Sequence, residues 1–322
     1  MTTPRPRALV AAALTLMVTV AGCAAQQSPI PRVTKMSLAI EVSQQRLTKL
    51  STRSHELLST LVVADRPGCS AAVGERGNVV WAGAAGLADL TASTPLTIET
   101  RFDIASVSKQ FTATALLLLQ RDGLLSLDDP LAAHVTGLPS WAQRVTLDQL
   151  MHHTARVPDF WVELERVGIG FAETADQSTV LRAIARERAL DEGEGYAYSN
   201  SHYVLLAQVV ENVSGQPFAV VVDDRIAAPL ALTLTVAPSL QAPDLATPYD
   251  AELGELRGGW SAYGHSGVIT TPSELVRWGD VYRTGNISPH DEVLNDPVLD
   301  AAAVLDDDGA PTGEMYGAGI RL

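Results

Sequence analysis

Between Phe102 and Leu119 the chain reads Phe-Asp-Ile-Ala-Ser-Val-Ser-Lys-Gln-Phe-Thr-Ala-Thr-Ala-Leu-Leu-Leu-Leu. From Ala113 onward this offers a helix with almost no polar face, and a helix that is apolar nearly all round is a buried one. The rest of the fold must be arranged around it. The first turn of the same helix carries Lys109, so its amine is drawn inside and partly stripped of water. Desolvation lowers a lysine pKa and favours the free amine. The chain has three lysines, Lys35, Lys49 and Lys109, and beyond residue 49 it otherwise uses arginine wherever it uses either. Arginine keeps its proton in any protein setting, whereas a buried lysine can lose it. Ser106 stands three residues before Lys109, one helical turn away on the same face. That is the spacing of a hydroxyl nucleophile activated by a neighbouring amine.

The N-terminus reads as a targeting segment. Arg5 and Arg7 precede an apolar stretch from Ala8 to Val20, too short to span a bilayer. Val20-Ala21-Gly22-Cys23 resembles a bacterial lipobox, which implies a signal peptide over 1–22 and a diacylglycerol on Cys23. Residues 23–36 then read as a lipidated tether and 37–322 as the one folded domain. Cys69, the other cysteine, is left without a disulfide partner. The formal net charge of −14 argues against nucleic acid or an anionic lipid surface as a partner. The expected location is the outer face of the bacterial cytoplasmic membrane, held by lipid. The histidines lack zinc-ligand spacing, so no metal and no cofactor is expected. His152 and His153 are adjacent and point to different sides of a helix, so at most one is read as structural.

Leu47, Leu50, Leu57, Leu58 and Leu61 recur at helical spacing over 37–61, predicting a helix packed on a neighbour. Two short apolar runs around Glu75-Arg76-Gly77-Asn78 predict a β-hairpin. From Leu124 to about Leu240 the chain reads as mostly helical, with a strong helix over 203–213 stopped by Ser214-Gly215. Thr271-Pro272-Ser273-Glu274 has the form of a capping box, with Leu275, Trp278 and Tyr282 as the buried stripe behind it. Hairpin, helical region and late strand together predict an α+β fold, an antiparallel sheet flanked by helices.

Tyr198-Ser199-Asn200 adds a second chemical element ahead of an apolar helix. A phenol hydrogen-bonded to the lysine amine could take the serine proton, and the asparagine could hydrogen-bond a substrate amide. With these residues in place the chain resembles the serine β-lactamase-related family, which includes class C β-lactamases, DD-peptidases, D-aminopeptidases and β-lactamase-like esterases. The resemblance runs from about Pro67 to Leu322. It is carried by Arg101-Phe-Asp-Ile-Ala-Ser-Val-Ser-Lys109, Asp122-Gly-Leu-Leu-Ser-Leu-Asp-Asp-Pro130, Thr146-Leu-Asp-Gln-Leu-Met-His-His-Thr154 and Tyr198-Ser-Asn200. It implies Ser106 as acylated nucleophile, Lys109 as its proton partner, Tyr198 as general base and Asn200 as substrate contact. The implied substrate is a small molecule or cell-wall peptide: a β-lactam, a D-amino-acid peptide or a carboxyl ester. The oligomeric state is not readable.

Two departures qualify the resemblance. His153-Thr154-Ala155-Arg156 replaces the family's His-Thr-Ser-Gly. The family's third motif, Lys-Thr-Gly or His-x-Gly on a strand beside the nucleophile, has only His265-Ser266-Gly267 to match it, 67 residues after Tyr198 and directly before a capped helix. That context reads as a turn. Tyr316-Gly-Ala-Gly-Ile320 resembles the strand that comes before the third motif, so the domain is expected to be incomplete at its C-terminus. The alternative function is then a non-catalytic or truncated penicillin-binding-type lipoprotein without turnover.

Overall fold

The computed structural model describes residues 33–170, 175–236, 244–256, 261–284, 302–305 and 311–321. The expected signal peptide over 1–22 and the lipidation site Cys23 lie outside these residues. The chain divides into two units, Met1–Arg46 and Leu47–Leu322. The boundary falls inside the first helix, α1 (Val33–Leu61), which already takes up the last residues of the expected tether.

The larger unit then runs through β1 (Cys69–Glu75), β2 (Asn78–Ala85), β3 (Leu87–Asp89), β4 (Thr94–Pro95) and β5 (Phe102–Asp103). A helical region follows: α2 (Lys109–Arg121), α3 (Leu147–Met151), α4 (Phe160–Arg166), α5 (Gln177–Ile184), α6 (Asn200–Ser214) and α7 (Phe218–Val222). The chain returns through β6 (Thr235–Val236), β7 (Val268–Thr270), α8 (Pro272–Thr284), β8 (Ala302–Leu305) and β9 (Pro311–Tyr316). This is an α+β fold. Instead of one sheet, the described strands form antiparallel sets: β1-β2, β3-β4, β5-β7-β6 and β8-β9.

The hairpin forms where the alternation placed it, with Cys69 opposite Ala85, Glu75 opposite Asn78, and Arg76-Gly77 as the turn. α8 packs against both of its strands. The Trp81 indole N–H donates to His55 Nδ1 at 2.8 Å, tying the hairpin to α1. The leucine stripe of α1 is narrower than its spacing predicts. Leu58 is buried, but Leu47, Leu50, Leu57 and Leu61 are exposed. In this unit His55 and Leu58 of α1 reach the β1–β2 hairpin. Cys69 is a free thiol at the exposed start of β1.

The apolar helix becomes α2 and sits at the centre of the core. Phe111, Ala113, Ala115 and the run Leu116 to Leu119 are withdrawn from water almost completely, and each buried leucine contributes about 1.5–3 kcal/mol. α2 packs on α6 and α7, and Phe111 stacks on Trp278 of α8 at 4.4 Å between ring centres. Trp278 Nε1–H also donates to Gln110 Oε1 at 2.8 Å. α8 starts at the predicted cap, with Thr271 Oγ1 accepting the Glu274 N–H at 3.3 Å. The box is not closed, however. The Glu274 carboxylate instead accepts from Thr233 N–H at 3.3 Å and pairs with Arg277 at 2.6 Å, because the residues just before β6 and the next helical turn offer it donors.

The two adjacent histidines correct the sequence reading, since both are buried. α3 ends at Met151, and His153 takes a positive φ of 57°. The chain has therefore left the helix before the second ring, and both rings can face inward.

One tight approach fixes how the site-bearing helices sit. Gly264 has φ +94°, and a Cβ there would lie 2.5 Å from both the Tyr203 carbonyl oxygen and Ala207 Cβ of α6. Its own carbonyl accepts the Thr112 hydroxyl of α2 at 2.8 Å. Gly264→Ala is expected to lower unfolding free energy by about 2 kcal/mol or more, from the strained φ and the overpacking together. Urea unfolding measures this; a loss below about 0.5 kcal/mol would show that the turn is not clamped between the helices.

Candidate active site

The approach to Ser106 is a held kink. β5 delivers the chain to Ile104, whose N–H donates to the Val268 carbonyl at 3.0 Å. Asp103 Oδ1 accepts from Ala105 N–H at 2.9 Å and from Gly267 N–H at 3.2 Å. Between these anchors Ala105 adopts φ +48°, a left-handed conformation uncommon for a residue with a side chain. Such a residue costs about 1–3 kcal/mol and persists only where its surroundings over-determine it. The kink leads into the 3₁₀ turn Ala105–Ser108, with Ser106 exposed and Ser108 and Lys109 buried. The turn's first bond runs from Val107 N–H to the Ile104 carbonyl at 3.1 Å. The Ser106 N–H lies ahead of that bond and has no intrahelical acceptor.

Lys109 is 1% exposed. Its Nζ donates to Asn200 Oδ1 at 2.9 Å, the His265 carbonyl at 3.0 Å and Ser106 Oγ at 3.2 Å. These three acceptors match the three donors of an ammonium. Burial pulls its pKa down to about 7, against the opposing charge of Asp159. Burial thus favours the uncharged amine.

The Tyr198 hydroxyl reaches Ser106 Oγ at 2.8 Å. The sequence reading expected the phenol to bond the lysine amine. The structure places the amine over the ring face, 4.8 Å from its centre, and the hydroxyl on Ser106. Burial raises the Tyr198 pKa, opposed by the bond to Ser106. Tyr198 and Asn200 enter from the start of α6 and the residues before it. Ser106, Lys109, Tyr198 and Asn200, 94 residues apart at their extremes in sequence, thus share one hydrogen-bonded cluster.

Several groups in this cluster had no assigned role from sequence. Asp159, the N-cap of α4, accepts from Trp161 N–H at 3.2 Å, Asn200 N–H at 2.8 Å and Asn200 Nδ2 at 2.9 Å. Its signal is legible after the fact: Pro-Asp ahead of an apolar helix start is a capping pattern. His153 supports Tyr198 from behind, with ring centres 4.5 Å apart. Its Nδ1 lies 2.8 Å from His202 Nδ1, and His202 Nε2 accepts the Val157 N–H at 3.2 Å. That last bond fixes both tautomers. His202 carries its proton on Nδ1 and gives it to His153 Nδ1, so His153 carries its own on Nε2. Burial holds both pKa values down, that of His202 to about 3. Nothing in a lone histidine's sequence position signals such a pair.

His265 lies in a turn, and its carbonyl rather than its ring meets Lys109. The ring is buried edge-on against Phe160, with centres 5.2 Å apart. The segment after β9 comes close to the backbone of the same lysine. A Cβ at Gly319, whose φ is +81°, would sit 2.7 Å from the Lys109 carbonyl group. Among the described residues no cluster of three or more acidic, histidine or cysteine side chains is placed to hold a metal ion.

The protein family whose description is Beta-lactamase matches residues 56–322. Penicillin-binding protein 4* of Bacillus subtilis (strain 168) is 29% identical over 214 residues, covering 62% of this chain and 43% of that protein. A D-aminopeptidase of Brucella anthropi is 29% identical over 222 residues, covering 66% of this chain and 42% of that protein. The chain thus spans less than half the length of these two relatives. Among solved structures, EstCE1, titled a hydrolase with promiscuous acyltransferase activity, superposes with a TM-score of 0.68 at 21% identity, covering 88% of this chain and 84% of that one. At that identity the likeness shows the fold.

The buried amine leaves a signature in stability. The Lys109 pKa is depressed to about 7 in the folded chain, so between that value and the unfolded pKa of about 10.4 the unfolded state binds more protons. Stability therefore rises with pH across this window and is lost as pH falls through it. Relative to Lys109→Met, the parent is expected to gain about 2 kcal/mol between pH 7 and pH 9. Urea titrations of both proteins at the two pH values check this, and parallel curves would mean that the amine is not depressed.

Proposed function

The chain belongs to the beta-lactamase family, and on that premise we propose that it is a serine hydrolase working through an acyl-enzyme on an ester or amide. The observation that carries the reading is a single oxygen with two partners. Ser106 Oγ lies 3.2 Å from the Lys109 amine and 2.8 Å from the Tyr198 hydroxyl. In acylation Oγ attacks the substrate carbonyl carbon while its proton passes to the Lys109 amine. The tetrahedral oxyanion meets the Ser106 N–H, a donor that needs no reorganisation. Tyr198 stands on the same oxygen, and the proton taken up by Lys109 passes through its hydroxyl to the leaving group, so that both side chains are restored as the acyl-enzyme forms. In deacylation water attacks the acyl carbon and gives a proton to Lys109, and a proton returns to Ser106 Oγ as the acyl–oxygen bond breaks and the acid leaves.

The resemblance assigns the base role to Tyr198. Burial works against a standing phenolate there, while the Lys109 amine is already near neutrality. In this reading Lys109 holds the proton within each step, and Tyr198 serves as the hydroxyl through which it moves. The relatives' names offer penicillin-type lactams and D-amino-acid peptides as substrate classes, and simple carboxyl esters join them by the same chemistry. The lipobox around Cys23 supports an exported, lipid-anchored protein acting on small molecules or cell-wall peptides outside the cytoplasmic membrane.

Intact mass after treatment with a fluorophosphonate or a penicillin tests the reading. One adduct per chain is expected in the parent and none in Ser106→Ala. With p-nitrophenyl acetate, Lys109→Met is expected to acylate at least about 10³-fold more slowly, and Tyr198→Phe about 10²–10⁴-fold more slowly. A cooperatively folded parent that takes up no adduct would instead favour a penicillin-binding-type scaffold without turnover.

A further inference from the structure

The orientation of Asn200 is fixed by what surrounds it. A carboxylate can only accept hydrogen bonds, so the end of the amide facing Asp159 must be Nδ2. The 2.9 Å contact from Nδ2 to Asp159 Oδ2 therefore turns Oδ1 the other way, onto the Lys109 amine at 2.9 Å. Asp159 is itself held on two sides. Its other oxygen accepts the Trp161 N–H, capping α4, and Oδ2 also accepts the Asn200 N–H at the start of α6. Both helix starts thus present a backbone N–H to the carboxylate.

We propose that Asp159 is a positioning residue for the acylation chemistry: it locks the Asn200 amide in one orientation, aims its oxygen at Lys109 and places a negative charge behind it. The proposal rests on the hydrolase reading for its link to rate, but not for its electrostatic content. Around the Lys109 amine stand Ser106, Tyr198 and Tyr203, the Asn200 amide, the His265 carbonyl, and the buried rings of His153, His202 and His265. The three imidazoles are held neutral by burial. Asp159 is the group whose charge acts to keep the proton on Lys109. It therefore limits how far burial depresses the amine, leaving a base strong enough to take the Ser106 proton yet free near neutral pH.

Asp159→Asn separates this role from capping. Asparagine caps helices about as well as aspartate, so α4 should survive, while the charge is gone. Two readouts are made on the full chain. The first is the ¹³Cε titration of lysine-labelled protein, whose three lysines give a simple spectrum, with Lys109→Met assigning the resonance. The second is the pH dependence of acylation by p-nitrophenyl acetate.

In Asp159→Asn the Lys109 midpoint is expected to fall by on the order of one pH unit. The acid limb of acylation should move to lower pH with it. Asp159→Ala, which also frees the amide to turn, should in addition lower the plateau rate about tenfold or more. A midpoint that rises, or that stays within about 0.2 pH units of the parent, would overturn the proposal and leave Asp159 as a helix cap. The NMR midpoint decides this even in a parent that is never acylated, so failure of the hydrolase reading and failure of this inference remain distinguishable.

Discussion

A buried amine with three hydrogen-bond acceptors is the interaction on which the rest of the structure depends. Leaving a charged or polar group unpaired in an apolar interior costs several kcal/mol. Lys109 escapes that cost only because three segments, two of them remote in sequence, supply its partners: the turn before α2, the start of α6, and the turn at His265. Each must arrive with the right atom, a hydroxyl, an amide oxygen and a backbone carbonyl. The packing of α2 on α6 and the close approach of Gly264 to Tyr203 and Ala207 are the mechanical means by which those atoms are delivered. Core and site are thus one arrangement.

The short strands have a similar meaning. β5 and β7 pair through only Phe102–Thr270 and Asp103–Ile269, too little to stabilise a sheet by themselves. Their value lies in holding the entry to Ser106. Asp103 bridges Ala105 and Gly267, and Ser108 Oγ accepts the Val268 N–H at 3.1 Å. The left-handed Ala105 can then be sustained, and Ser106 stands out of the surface while the residue three positions on lies inside it. One helical turn therefore carries a water-facing hydroxyl and a water-excluded amine.

Periodicity made the local elements legible. The hairpin at Arg76-Gly77, the apolar α2, the stop at Gly215 and the Thr271 cap all arise from interactions within a few residues. The Ser106–Lys109 pair was legible for the same reason, one turn of helix, and Tyr198 and Asn200 through their resemblance to a known pattern. What depended on distant partners was not. The α1 leucines read as a packed stripe although only Leu58 is buried among them, because period describes a face and says nothing of how much surface a neighbour offers. The paired His153 and His202, and Asp159 behind Asn200, belong to no local pattern. Their roles come from α3, α4 and α6 converging, which only the tertiary fold provides.

The absence of lysine elsewhere in the larger unit beyond Lys49 takes on physical sense in this setting. Arginine at position 109 would keep its charge, and a planar guanidinium could not place three donors on the acceptors that surround a compact Nζ. Methionine would fit the volume but offer no proton acceptor. The position demands a side chain that is long, nearly apolar along its stem, and able to exist uncharged at its tip, and lysine alone meets all three conditions. Asp159 then sets the balance from one amide away. Without any carboxylate nearby, burial would leave the amine a weak base; with one in direct contact, it would stay charged. An intervening Asn200 gives the intermediate coupling that a base working near neutral pH requires.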